Sequence, residues 1–268
     1  MSDLIKKLSL ISILKKQVKN WTVPLLFYFG IIKTERVIVF KNGIKCIMRN
    51  KSDSIAFFEV FFLNTNDYLN EFTIKEKDVV VDIGAHIGYY SLYSSTKVKN
   101  GKVFAFEPFE ESFEILIKNL ELNQITNVVT QNMGVSHKSG SATLYLKKDF
   151  SIGNSIYENT GTSSTVDIKT ISLQDIIKNN NLQKINILKL DCEGAEYEIL
   201  LNLDNSILKK VDKIVAEIHP NIKNFKINDL SKFLLSNNFN VEIIYPLKNI
   251  PEELAMLYAK NKEINQEL

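Results

Sequence analysis

With 268 residues, 45% of them hydrophobic and 24% charged, the chain has the make-up of a compact globular protein and not of a disordered or fibrous one. Thirty-three basic residues against 31 acidic leave a net charge of +2. That balance lacks the dense basic face of a nucleic-acid enzyme, so no nucleic acid is expected as partner. Two distant cysteines, Cys46 and Cys192, outside any CxxC or Cys/His cluster, exclude a disulfide framework and a structural zinc site and fit a reducing, cytoplasmic setting.

In chain order, residues 1–20 carry Lys6, Lys7, Lys15, Lys16 and Lys19 against one acid, Asp3. The apolar run Pro24-Leu25-Leu26-Phe27-Tyr28-Phe29 is far shorter than the ~20 residues a membrane span needs. Its order after the charged stretch is not that of a signal peptide. The first helix is expected to pack on the main domain through Leu4, Leu8, Ile11 and Leu14. Contact of that amphipathic helix with a membrane surface is the alternative. Residues 37–49 read as two short strands around the hairpin signal Asn42-Gly43. Ser52-Asp53 reads as the cap of a helix over 52–70. Its aromatics Phe57, Phe58, Phe61, Phe62 and Tyr68 are assigned to core rather than to sugar stacking. Together these elements make an N-terminal helical and hairpin module, residues 1–76, ahead of a second domain, residues 77–268.

From Asp78 strands and helices alternate. DVVVDIG is a continuously apolar run ending in glycine, as in a buried parallel strand. A helix follows from about Gly88 to Lys97, then the strand VFAFE, a helix from Glu110 to Asn123, and the strand NVVTQN. SATLYL and TVDIKTI read as strands flanking a polar segment within 147–165, and a loop that long in a compact domain is usually functional. INILKLD, the helix GAEYEILLNL, KIVAEIH and a helix from Ile227 to Asn237 follow, and NVEIIYP and ELAMLYAK suit a terminal antiparallel pair. This alternation predicts a doubly wound α/β sheet with helices on both faces.

Chemistry concentrates at strand ends. In Val80-Val81-Asp82-Ile83-Gly84-Ala85-His86-Ile87-Gly88 a strand runs through a glycine turn into a helix. Backbone there can approach a ligand closely, and N–H groups at a helix start can hold an anion. His86 stands where the dinucleotide fingerprint G-x-G-x-x-G has its middle glycine, and no Gly-Lys-Ser/Thr follows for a P-loop. Glu107, in Phe106-Glu107-Pro108, ends the next strand 25 positions after Asp82. A carboxylate at that place can accept hydrogen bonds from both hydroxyls of a ribose.

The runs DIGAHIGYYSL, KVFAFEP, NVVTQNMGVSHKSGSATLYL, INILKLDCEGAEYEIL and VAEIHP, in that order and spacing, resemble the FkbM family of S-adenosylmethionine-dependent methyltransferases over about residues 37–245. The resemblance implies the class I (Rossmann-like) methyltransferase sheet of six parallel strands and one antiparallel strand. It also implies O-methylation of sugars and natural products. It carries the cofactor site onto Asp82, Gly84, Gly88 and Glu107, with adenine near Asn132 and Met133. His86 replaces the asparagine of many members and is counted with the site as a polar residue that can face the ligand.

Where the fourth strand meets its helix stands Lys189-Leu190-Asp191-Cys192-Glu193-Gly194-Ala195-Glu196. The Asn/Asp-Pro-Pro-aromatic motif common in amine and base methyltransferases is absent there. Asp191 and Glu193 offer carboxylates that can orient an alcohol and take its proton, whereas Glu196 suits helix capping. Glu217 and His219 share one side of the fifth strand, and His219 is a third candidate base. A His/Asp/Glu set of this kind can also hold a divalent ion, but no metal is expected. His137 falls in a turn and reads as solvated. The acceptor is expected to be a small molecule or glycan entering beside the 147–165 loop and the N-terminal module. Two rival readings are a non-catalytic binding subunit that keeps the fold and a nicotinamide-dependent oxidoreductase.

Overall fold

A computed structural model of the chain describes residues 11–63, 70–147, 153–158, 162–219, 225–245 and 254–263. The central sheet contains β3 (Val79–Ile83), β4 (Lys102–Phe106), β5 (Val128–Gln131), β9 (Ile185–Leu190), β10 (Val211–Ile218), β11 (Phe239–Ile244) and β12 (Ala255–Asn261). Their spatial order is β11-β12-β10-β9-β3-β4-β5. Strand β12 lies antiparallel between β10 and β11, while β10, β9, β3, β4 and β5 pair in parallel. The last strand thus inserts between its two predecessors, completing the six-plus-one class I methyltransferase sheet.

Side-chain alternation sorts these strands onto two faces. Val81, Ile83, Phe104, Phe106, Leu188 and Leu190 point to one core. There they meet α5 (Leu173–Asn179), α6 (Ala195–Leu201) and α8 (Ile227–Ser236) through residues such as Ile176, Ile199 and Leu234. Val80, Val103, Ile187 and Val215 point the other way, to Tyr90 and Val98 at the two ends of α3 (Tyr89–Lys97). Helix α4 (Glu110–Leu122) covers the same sheet through Leu116 and Leu120. Both faces being covered explains the continuous apolar strands.

The N-terminal module holds α1 (Thr22–Tyr28), the hairpin β1 (Arg36–Val39) and β2 (Lys45–Met48), and α2 (Lys51–Phe58). Gly43, at φ +97°, makes the hairpin turn. Asn50, not Ser52 or Asp53, caps α2, its side chain accepting from Asp53 N–H. Asp53 instead faces Arg49 at 2.9 Å. The helix expected to run to residue 70 ends at Phe58 and continues as a π-helical turn, Glu59–Leu63; residues 64–69, with Tyr68, lie outside the described part. Phe57 is fully buried against Phe40 and Tyr89. Leu14 is buried as expected, while Leu4 and Leu8 also lie outside the described residues. These N-terminal elements share one core with the rest of the chain, joining Leu14, Phe27 and Ile38 to Ile87, Leu92 and Ile115. Buried Asn119 of α4 ties the two backbones, accepting from Ile47 N–H at 2.7 Å and donating to Ile87 C=O at 2.8 Å.

The two strands around the polar segment, β7 (Gly140–Lys147) and β8 (Thr162–Ser172), pair antiparallel, and β6 (Gly134–Ser136) joins β8 in parallel. They form a separate three-stranded sheet, β6-β8-β7. Among the described residues no helix is long and apolar enough to cross a membrane.

Candidate active site

A cavity of 1120 Å³, open mouth included, lies at the carboxyl ends of β3, β4, β9 and β10, the edge where a doubly wound sheet binds ligands. Register builds its polar wall. Asp82 and Lys189 are direct partners across β3 and β9 and project, like Val80 and Ile187, toward α3. The Lys189 ammonium lies 3.1 Å from Asp82 Oδ1 and 3.5 Å from Asp191 Oδ2, and donates to the Gly84 carbonyl at 3.2 Å. Burial alone would lower the lysine's pKa, but Asp82 and Asp191 outweigh it and hold the ammonium above the usual lysine range. Ser91 of α3 donates to Asp82 Oδ2 at 2.6 Å. Asp82 is fully buried and underpins the cavity without lining it.

The glycine turn over this pair is set by space. A Cβ on Gly84, at φ +75°, would lie 1.8 Å from the Asp191 carbonyl oxygen, and one on Gly88, at φ +82°, 2.8 Å from Leu116 Cγ. Gly84 lines the cavity; Gly88 packs beneath it. The turn spends its donors inward: Gly84 and Ala85 N–H both go to the Phe106 carbonyl, Gly88 N–H goes to Ala85, and His86 N–H to Glu107 Oε2 at 2.8 Å. These four N–H groups of the turn are therefore engaged within the protein. His86 itself has φ +50°, and burial lowers its pKa to about 4, so it is neutral at pH 7.

Glu107 also accepts from Phe109 N–H on Oε1 at 2.9 Å. Each carboxylate oxygen has two acceptor positions, so each keeps one beside the cavity that Glu107 lines. Burial raises its pKa to about 7. Asn132 is exposed and donates to the backbone carbonyls of Glu107 and Pro108. Half-buried Met133 packs against the main core. Neither lines the cavity.

At the other end, carboxylates from separate elements meet: Asp191 after β9, Glu193 in the turn, Glu217 on β10, and Glu59 on the π-helical turn. Sequence reasoning missed Glu59, because no local motif marks it; only the fold of the module carries it to the sheet edge. Burial, then Asp191, raises Glu59 to about 7 and pushes Glu217 well up. Glu193, at φ +54°, is raised by burial. Fully buried Glu196 holds the turn as a cap should, accepting from Cys192 N–H and Gly194 N–H at 2.8 Å each.

His219 sits behind these acids. Its Nδ1 is 3.3 Å from Glu196 Oε1 and its Nε2 is 3.3 Å from Glu193 Oε2 and 3.9 Å from Glu217 Oε1. Burial lowers its pKa, but Glu196, Glu193 and Glu217 outweigh burial and raise it to about 10. Held among these carboxylates, the ring is favoured in its protonated form. Donor atoms of Asp191, Glu217 and His219 lie within 4.8 Å of one another. His137 is exposed, as expected, and faces Glu198, which also accepts from Tyr157 OH at 2.5 Å.

Described residues of the long insertion contribute to the cavity wall. Gly153, Asn154 and Ile156 line it, as do Ala56, Glu59 and Val60 of the N-terminal module. Ser155, 1% exposed, donates to the Glu193 carbonyl at 2.6 Å.

Comparison with known proteins agrees with this arrangement. A family profile described as the methyltransferase FkbM domain matches residues 82–241, more than half of the chain. The hexuronic acid methyltransferase AglP of Haloferax volcanii is 31% identical over 169 residues, which cover 63% of this chain and 66% of that protein. The methyltransferase sdnD of Sordaria araneosa is 27% identical over 72% of this chain and 78% of its own length. The 31-O-demethyl-FK506 methyltransferase FkbM of Streptomyces tacrolimicus is 22% identical over 54% of this chain and 67% of its own length. A strand-end carboxylate, a glycine turn and a lined cavity thus stand inside a matched methyltransferase domain, and the chain belongs to the FkbM family of S-adenosylmethionine-dependent methyltransferases.

Proposed function

We propose that the chain transfers a methyl group from S-adenosylmethionine to a hydroxyl of a sugar or other polyhydroxylated small molecule. The observation that carries this reading is the convergence of Glu59, Asp191, Glu193 and Glu217 on the cavity end opposite Glu107. The cavity fits the cofactor: Glu107 keeps one acceptor position per oxygen for a ribose, and the Gly84–His86 turn lets backbone form the floor. Asn132 and Met133 stand just past Glu107 for the adenine side, and Asp82 and Gly88 hold the turn from below. When bound, S-adenosylmethionine supplies a methyl on a positively charged sulfur, an electrophile that needs little further activation.

The chain's own residues do the rest. Ser155 and Glu196 fix the turn that carries Glu193. The protonated His219 orients Glu193 and Glu217. Asp191 and Glu217 hold the acceptor hydroxyl, and one of them takes its proton as the oxygen is alkylated, general-base work that a positioned carboxylate can do. Alignment supplies most of the acceleration. Among the described residues, six carboxylates (Glu59, Asp82, Asp191, Glu193, Glu196, Glu217) outnumber the cations Lys189, His219 and Lys147 around this end. A neutral sugar therefore suits it better than the hexuronic acid named for the Haloferax relative.

The test is methyl transfer from labelled S-adenosylmethionine to paired aryl glucosides and glucuronides, with Glu217→Gln and Asp191→Asn alongside wild type. The expected result is an O-methyl ether on the glucoside and a turnover loss of about 10²-fold or more in the variants, with S-adenosylhomocysteine affinity unchanged. Transfer to nitrogen, or variants with full turnover, would contradict it.

A further inference from the structure

The net charge of +2 is the sum of two opposed regions. Residues 1–51 hold eleven basic residues and two acidic ones, whereas residues 52–268 hold 22 basic and 29 acidic. A methyltransferase cavity has no use for such polarity, since it lies at the acidic end of the separation.

The same N-terminal region carries the most exposed large apolar side chains among the described residues. Phe29 is 71% exposed and Ile31 67%, beside Tyr28 at 44%. They are held out by a rigid device. Gly30, at φ +70°, closes α1, with its N–H bonded to the Phe27 carbonyl at 2.9 Å and Ile31 N–H bonded to Leu26 at 2.8 Å. This is the paired Schellman closure of a helix end. Such a closure usually folds the following apolar residue back onto the helix, yet here Ile31 stays exposed. Tyr28 meets Phe29 edge-on at 5.5 Å and Phe58 at 6.1 Å, which braces the knob against α2. Basic groups rim it: Lys51 lies 5.8 Å from the Tyr28 ring, and exposed Lys33 and Arg36 follow Ile31. Exposed Lys15, Lys16 and Lys19 extend the positive charge over the preceding helical stretch.

We infer that the Tyr28–Ile31 knob and its basic rim dock the protein on an anionic phospholipid surface. Aromatic and branched apolar side chains enter the boundary between headgroups and acyl chains, while lysine stems lie along it with their ammonium groups in the headgroup layer. The anionic surface attracts each nearby lysine or arginine, and the acidic remainder of the chain is repelled, which fixes the orientation. A nucleic-acid partner explains the charge but not the exposed apolar tip of Phe29 and Ile31. The docked face is close to the chemistry. Helix α2 starts at Lys51 on the rim, and eight residues later its continuation places Glu59 in the cavity wall, a distance of about 12 Å.

The test is co-sedimentation of the full chain with phosphatidylcholine vesicles, with and without phosphatidylglycerol. Binding is expected only to the phosphatidylglycerol vesicles and is expected to fall steeply as salt is added. The double variant Phe29→Ser/Ile31→Ser should weaken it by at least about tenfold, as should Lys33→Glu/Lys51→Glu. Both variants should bind S-adenosylhomocysteine like wild type, which separates this inference from the methyltransferase reading. Equal sedimentation with both vesicle types, or unchanged binding by both variants, would overturn it. So would a wild type that ignores vesicles but self-associates through Phe29 in sedimentation velocity, or one retained instead by an RNA oligonucleotide.

Discussion

Asp82 and Lys189 illustrate how a single residue pair can be visible in sequence and yet be misjudged. The strand-end aspartate reads as a ligand contact, while the structure turns it inward to a buried lysine and a serine. Breaking such a pair from one side costs about 3–5 kcal/mol, so loss of function at Asp82 would report folding as much as binding. Lys189, a lone cation between Leu188 and Leu190 in an apolar strand, was the available signal. Glu59 had none. Its environment makes a prediction of its own. Burial raises its folded pKa from 4.5 to about 7. A raised carboxyl stabilises the fold fully below the unfolded pKa, and that contribution is lost as pH rises through the folded value. Glu59→Gln should therefore melt above wild type once the pH exceeds about 7, with the advantage shrinking to nothing or reversing near pH 4.5. Thermal melting across that range checks it; a pH-independent difference would contradict the assignment.

At the scale of elements, period and turn chemistry made most of the architecture legible. The alternating runs from Asp78, the Asn42-Gly43 hairpin and the antiparallel C-terminal pair are present as read. What failed did so for local reasons. The α2 cap moved to Asn50 because an extended residue at φ −153° can present its side chain to Asp53 N–H, while Asp53 was taken by Arg49. The separate sheet β6-β8-β7 depends on pairing across the insertion, which no single strand encodes. The glycine turn was read for ligand approach, and its first need is packing. Gly84→Ala should cost several kcal/mol, since it combines a left-handed backbone with a methyl group 1.8 Å from Asp191 O. Gly43→Ala, also left-handed but with nothing within 4 Å, should cost only about 1–2 kcal/mol. Urea unfolding of the two variants measures the contrast, and equal costs would refute the packing account.

Across the whole molecule, the fold brings together positions 59, 107, 191 and 217, separated along the chain by strands, helices and an insertion. The family resemblance assigns the cofactor to the strand-end motifs because those motifs are contiguous in sequence. The N-terminal segment and the 147–165 insertion were expected on the proposed acceptor side, but which of their residues, such as Glu59, Gly153, Asn154 and Ile156, reach the cavity was not legible, because those contacts are long-range. The central claim is that Glu107 and the turn beside it form the cofactor site. Calorimetric titration of the folded protein with S-adenosylhomocysteine, beside Glu107→Ala, tests it most directly. The account predicts clear binding by wild type and a loss of about 10–100-fold in the variant, the range expected for hydrogen bonds to a charged group. A folded wild type that binds no S-adenosylhomocysteine, or a variant that binds as tightly as wild type, would contradict it.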